Sequence, residues 1–131
     1  MEARGLNGLA VYHGRKYGKE KEDFLRKASM FVFPTFYFNE CFPLVILEAM
    51  MYGLPVISTD EGGIKDEVAD GVNGFVVKTE NTYALADAIQ LLLEDSKMRN
   101  RMGNEGRRIF LEKFTMRQFE YNMKRILFDC I

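Results

Sequence analysis

Between Phe42 and Thr59 one charged residue, Glu48, stands alone in an apolar run: Pro43-Leu-Val-Ile-Leu-Glu-Ala-Met-Met-Tyr-Gly-Leu-Pro-Val-Ile-Ser. Glu48, Gly53 and Pro55 break it long before the ~20 apolar residues that a membrane span needs. Its first half, Leu44 to Tyr52, is apolar on nearly every side and stops at Gly53, which predicts a helix buried against a sheet. Its second half, Pro55 to Ser58, predicts a buried strand. A buried helix leading straight into a buried strand suits a parallel sheet, whose two faces are both covered.

The rest of the chain repeats this alternation. Leu9 to Tyr12, Met30 to Phe33 and Phe75 to Val77 read as further strands, stopped by Gly14, Pro34 and polar residues. Lys19 to Ala28 reads as an amphipathic helix and Ile64 to Ala69 as a short one. Asp60-Glu-Gly-Gly and Asp70-Gly-Val-Asn-Gly are turns. Thr82 to Asp95, Ser96 to Phe114 and Thr115 to Cys130 predict three closing helices, the first capped by Asn81 or Thr82. The expected fold is α/β: a Rossmann-like parallel sheet of about four strands with flanking helices and a helical C-terminal end. The 131 residues fit a single domain, 1–131.

Composition excludes several classes. With 47% hydrophobic and 28% charged residues the chain is not a disordered one. A net charge of −1 gives no global electrostatic case for nucleic acid, which is not expected as a partner. Met1 to Gly5 contains no apolar core, so no secretory leader is expected. Cys41 and Cys130 make neither a metal-ligand spacing nor a disulfide framework, and are expected to be reduced thiols in a cytoplasmic protein. The single histidine, His13, excludes a two-histidine metal motif.

In parallel α/β sheets, ligands bind outside the carboxyl ends of the strands. Those ends are Gly14 to Lys16, Thr35 to Phe42, Ser58 to Gly63 and Lys78 to Glu80. A lone carboxylate on a buried helix is costly, so Glu48 must meet either a lysine or arginine elsewhere in the core or a ligand. Glu40, just before the same helix, suits its N-terminus as an acid, with Asn39 as a cap and Pro43 in the first turn. The same geometry offers the free N–H groups of Leu44 and Val45 to a phosphate. Two carboxylates beside an anion site make sense if they accept hydrogen bonds from hydroxyls of a sugar or ribose.

Glu40-Cys-Phe-Pro-Leu-Val-Ile-Leu-Glu48-Ala-Met-Met-Tyr-Gly-Leu-Pro-Val-Ile-Ser resembles the E-x7-E signature of the family 4 glycosyltransferases of GT-B fold. Phe31-Val-Phe-Pro-Thr before it resembles the family's preceding strand. Asp60-Glu-Gly-Gly-Ile, Asp70-Gly-Val-Asn-Gly-Phe-Val-Val, Leu85-Ala-Asp-Ala-Ile-Gln-Leu-Leu-Leu and Phe114-Thr resemble the segments that follow, in family order. The resemblance implies part of the C-terminal, nucleotide-sugar-binding domain of a retaining enzyme that needs no metal or other cofactor. It implies that Glu40, the catalytic position, contacts hydroxyls of the transferred sugar, and that Glu48 holds the ribose of the donor. Backbone N–H groups after Phe42, at Leu44 and Val45, would hold the diphosphate. Arg15 and Lys16 would border the base, and Gly62 and Gly63 would lie near the sugar. Pro43, often glycine in the family, and Asp66, often glutamate, depart from the pattern.

An enzyme of this kind has a second, N-terminal acceptor domain. It also has an arginine–lysine pair on an earlier strand–helix unit, and neither part is in this chain. The chain alone is expected not to transfer sugar. Its first strand either re-pairs with Met30 to Phe33 or leaves an apolar sheet edge open to self-association. Two other readings are a non-catalytic nucleotide- or sugar-binding module and an α/β unit in which Glu48 simply pairs with a cation. The basic excess between Lys97 and Arg125 reads as a solvated helix face. Contact of the parent enzyme with the inner face of a membrane is compatible with it. His13 reads as structural or solvent-facing, Cys41 as near the substrate without a catalytic thiol role, and Met50 and Met51 as core filling.

Overall fold

The computed structural model describes residues 8–130. The opening residues Met1 to Gly5 lie outside them. Three parallel strands form one sheet in the order β1-β2-β3: β1 Phe31–Phe33, β2 Val56–Thr59 and β3 Gly74–Val77. Six helices surround it: α1 Gly18–Lys27, α2 Leu44–Met51, α3 Ile64–Glu67, α4 Thr82–Glu94, α5 Ser96–Lys113 and α6 Met116–Asp129. The α/β class and the helical C-terminal end are as expected from the sequence.

The central strand, β2, is buried at all four positions. Its side chains alternate between the two faces of the sheet. Val56 joins a core with Ile46, Ala49 and Met50 of α2, Leu25 of α1 and Ile64 of α3. Ile57 joins a second core with Ala88 and Leu92 of α4 and Met102 of α5. Helix α5 serves both, since Ile109 and Phe110 pack on the first. Asn81, Asp95 and Thr115 cap α4, α5 and α6 by accepting the N–H groups of Ala84, Met98 and Gln118, which satisfies donors the helices cannot use internally.

Three expectations are corrected. Leu9 to Tyr12 forms no strand: Leu9 is 84% and Val11 65% exposed, and the sheet has three strands where about four were expected. An extended segment is stable only when a neighbouring strand takes up its N–H and C=O groups, and among the described residues nothing pairs with it. Among the described residues re-pairing therefore does not occur, and β1 pairs with β2 alone. For the same reason β1 is only half-buried along its length, although Met30 to Phe33 is an apolar run of the kind that suits a buried strand. Helix α2 packs on the sheet as expected, with its two ends left more open. Its middle, Ile46, Ala49 and Met50, is fully buried, while Leu44 is 68% and Met51 40% exposed.

Close packing of α5 against the turn after α2 depends on Gly103. A Cβ there would lie 2.0 Å from the Gly53 carbonyl oxygen. Gly103→Ala will therefore push the two elements apart and destabilise the fold by about 1–3 kcal/mol, read by urea denaturation. An unchanged midpoint would mean that the helix can shift at no cost.

Candidate functional site

The three segments that leave the carboxyl ends of the strands are tied to one another. Thr59 donates its hydroxyl to Thr35 O at 2.6 Å, and Ser58 donates to Phe33 O at 2.7 Å. Thr79 donates both its N–H and its hydroxyl to Asp60, each at 3.2 Å, and its hydroxyl also reaches Glu61 at 2.9 Å. The Thr79 donors hold the Asp60 carboxyl below the usual range, with Lys65 adding in the same direction. The loop after β1 is thereby fastened to the loop after β2, and that loop to the one after β3.

Against this base lies the turn that carries Glu40. The Glu40 N–H donates to Tyr37 O at 2.9 Å, and the Gly63 N–H donates to Cys41 O at 2.8 Å. Gly62 has φ +49°, a left-handed value, and a Cβ on it would fall 1.5 Å from Glu40 O. A Cβ on Gly63 would fall 2.2 Å from Cys41 O. Only glycine allows the two main chains to touch in this way. Glu40, Phe42 and the Gly62–Gly63 pair are thus brought together. The half-exposed Phe42 ring packs on Phe114, centroids 5.9 Å apart.

Leu44 and Val45 begin α2 directly after this turn. No side chain caps the helix, whose N-cap is Pro43. Ile46 is the first residue of the helix to find an acceptor, donating to Pro43 O at 2.9 Å. The N–H groups of Leu44 and Val45 thus stand at the uncapped end, where the helix dipole favours negative charge.

Glu48 is one turn further along α2 and faces α1. Its carboxylate accepts from Lys21 Nζ at 2.6 Å, and both side chains are about a third exposed. The pair sits at the rim of a cleft shared with Gly18, Leu25 and Tyr52. The expected cationic partner exists, but at a rim and not in the core. At that exposure the pair adds well under ~1 kcal/mol to stability, and it fixes the Glu48 carboxylate at the rim of the cleft. Arg15 and Lys16 lead into α1. Arg15 is exposed, and Lys16 pairs with Glu20 at 3.3 Å. Neither makes a hydrogen bond or ion pair with Glu40 or Glu48, so the structure does not bring them to the two acids.

Two residues at the site escaped the sequence reading. Lys21 is one of five consecutive charged residues, Lys19 to Asp23, and nothing in the sequence sets it apart. Glu67 could have been found: Ile64 and Val68 lie three residues before it and one after it, on the face that α3 buries. Glu67 is 2% exposed and both its carboxyl oxygens lack a partner. Burial, with Glu40 and Asp66 adding negative charge, pushes its pKa up to about 8. Among the described residues no cluster of His, Cys, Asp and Glu is placed to hold a metal ion, and no helix is long and apolar enough to cross a membrane. On the basic helices Arg108 pairs with Glu105 and with Glu112, the latter at 2.7 Å.

This parallel sheet, with its loop cluster at the carboxyl ends of the strands, is matched by solved glycosyltransferases. Sucrose-phosphate synthase from Thermosynechococcus elongatus superposes with a TM-score of 0.83 at 28% identity, over 98% of this chain and 34% of that one. HepE of Anabaena, solved with UDP and glucose, shares the fold with a TM-score of 0.83 at 22% identity, over 95% of this chain and 33% of that one. In sequence, an uncharacterized glycosyltransferase of Methanocaldococcus jannaschii is 32% identical over 113 residues, covering 86% of this chain and 31% of that protein. The chain belongs to the glycosyl transferases group 1 family, whose model matches residues 1–109. It spans about a third of the length of these relatives.

Proposed function

We propose that this chain forms the donor half-site of a retaining family 4 glycosyltransferase of the hexosyltransferase type, which uses a nucleotide-diphosphate sugar. The observation that carries the reading is the Glu40 turn. It is pressed onto Gly62–Gly63 by main-chain contact, and an uncapped helix runs from it to a second oriented carboxylate, Glu48. The diphosphate lies at the N–H groups of Leu44 and Val45, whose dipoles meet the charge that grows on the leaving group. Glu48 accepts hydrogen bonds from the ribose hydroxyls, and Lys21 holds its carboxylate in place. Glu40 accepts hydroxyls of the transferred sugar beside Gly62 and Gly63. Arg15 and Lys16 border the base. No metal or other cofactor is assigned. HepE, bound to UDP and glucose, illustrates the same fold holding such a ligand.

Transfer itself needs an acceptor domain and the arginine–lysine segment, supplied from outside these residues. The open edge of β1 is where further strands, or a second copy, would add. We place the enzyme in the cytoplasm, at the inner face of the membrane.

Titration of the 15N-labelled chain with UDP, GDP and ADP, and then their sugar conjugates, tests the reading. Shifts are expected at Glu40 to Val45, Glu48, Gly62 and Gly63, and Glu48→Gln should weaken binding by about tenfold, the loss of one charged hydrogen bond. Because Lys21 already satisfies Glu48, a purely structural role for the pair is the competing reading. It predicts that Glu48→Gln changes stability and leaves every ligand shift unaltered. Shifts confined to other surfaces would overturn the donor-site proposal.

A further inference from the structure

Phe36, Tyr37 and Phe38 follow one another on the loop after β1 and are 73%, 58% and 80% exposed. Three aromatic rings in a row outside the core forgo the burial that normally holds such side chains inside. The loop that presents them is nonetheless fixed. The Tyr37 N–H donates to Thr35 Oγ1 at 3.2 Å, Tyr37 O accepts the Glu40 N–H at 2.9 Å, and Thr35 O accepts the Thr59 hydroxyl. The Tyr37 and Phe38 rings rest against each other, centroids 5.8 Å apart. Phe36 forms one wall of a cleft of about 360 Å³ at the carboxyl ends of the strands, a volume within the range of small-molecule sites. Pro34, Val77 and Leu85 give it further apolar lining, and Lys78 and Glu80 bring charge to it. Among the described residues Glu80 alone, glycines apart, has a left-handed backbone, with φ +63°. That conformation is costly for a residue with a Cβ.

We propose that this cleft is a saccharide-binding subsite, with Phe36 as its stacking wall and the Tyr37–Phe38 pair extending it towards Glu40. A pyranose ring has apolar C–H faces and an edge of hydroxyls, and the cleft offers a partner to each. The face of an aromatic ring is negative and attracts polarised C–H groups. The Glu80 carboxylate accepts from hydroxyls, and the Lys78 ammonium donates to oxygens. Other occupants match the lining less well. An acyl or prenyl chain laid in the cleft would strip Lys78 and Glu80 of water and give no hydrogen bond in return. A nucleic acid would meet the Glu80 carboxylate on a chain whose net charge is −1. Calling the saccharide the acceptor rests on the donor-site reading of Glu40, which the loop reaches two residues after Phe38. The subsite itself stands on the aromatic wall and the two charged side chains.

Titration of the 15N-labelled chain with methyl α-glucoside, methyl β-galactoside and methyl N-acetylglucosaminide, each to about 100 mM so that weak binding is reached, tests this. At least one should shift the amides of Phe36 to Phe38, Lys78 and Glu80 together, with saturation. Phe36→Ala should weaken that binding several-fold and leave the urea midpoint in place, since the ring is exposed. Glu80→Gly removes the carboxylate and adopts φ +63° without strain, so it should raise the midpoint and yet weaken the binding. A purely structural Glu80 predicts the first change without the second. Saturable shifts from none of the three glycosides overturn the proposal. Shifts of Phe36 to Phe38 by UDP alone also overturn it, by making the rings a stacking surface for the base. So does broadening of these amides that grows with protein concentration in the absence of sugar, which would make the loop an interface between copies of the chain. Glycoside shifts that persist while UDP moves none of Leu44, Val45 and Glu48 would count against the donor-site reading and support the saccharide subsite.

Discussion

Raising the pH from 4.5 towards 8 will make this protein less stable, and Glu67 will be the cause. The carboxyl titrates near 4.5 when the chain is unfolded and near 8 when it is folded. Between those values the folded state holds a proton that the unfolded state has released, so stability falls as pH rises. Below that window both states are protonated and the contribution is at its most favourable. Above it both are ionised and the loss is complete. At 1.36 kcal/mol per pH unit, the loss by pH 7 is about 3 kcal/mol, a large part of an ordinary domain's stability. Asp60 works in the opposite direction, because its carboxyl is held below 3.8. Its loss appears only at more acidic pH. Urea titrations at pH 5, 6, 7 and 8 should show the midpoint declining in the native chain, with the decline abolished in Glu67→Gln. Equal slopes in the two proteins would remove Glu67 as the source.

Gly62→Ala should have the second large effect. The new methyl group would fall 1.5 Å from the Glu40 carbonyl oxygen, and the residue would keep φ +49° only under strain. Neither partner is a flexible side-chain end, so the two main chains must separate. The expected cost is about 2–4 kcal/mol, the sum of overpacking and an unfavourable backbone conformation. The change would also be local and functional: the Glu40 turn would be displaced, and donor binding lost even in protein that remains folded. Amide shifts of Glu40 and Cys41, together with UDP-glucose binding, would report it. A variant with native amide positions and native stability would mean that the close approach of the two loops is not required.

How much of this could be read beforehand follows from where the information resides. The order of the elements is local. Apolar runs stopped by Gly53, Pro34 or Asn81 specify helices and strands through periodicity and capping, and all nine elements of the structure are bounded within two residues of where the sequence puts them. The helix carrying Glu48 and the turn carrying Glu40 were legible for the same reason. An isolated acid in an apolar run, and an acid before a helix start, are visible without any fold. The strand read at Leu9 to Tyr12 was not safe, because a strand is completed by its neighbour and no property of those four residues supplies one.

The sequence by itself determined the alternation of strands and helices, the burial of β2, the glycine pair at Gly62–Gly63 and the two acids eight residues apart. Tertiary structure alone decided that Lys21 is the cation that meets Glu48, that the Glu40 main chain rests on Gly62, and that Glu67 is enclosed with both oxygens unmet. The physical reason is distance along the chain. Propensity and periodicity act over a few residues, whereas a charge pair spanning 27 positions, or a carboxyl raised chiefly by its burial, exists only once packing has brought distant segments together.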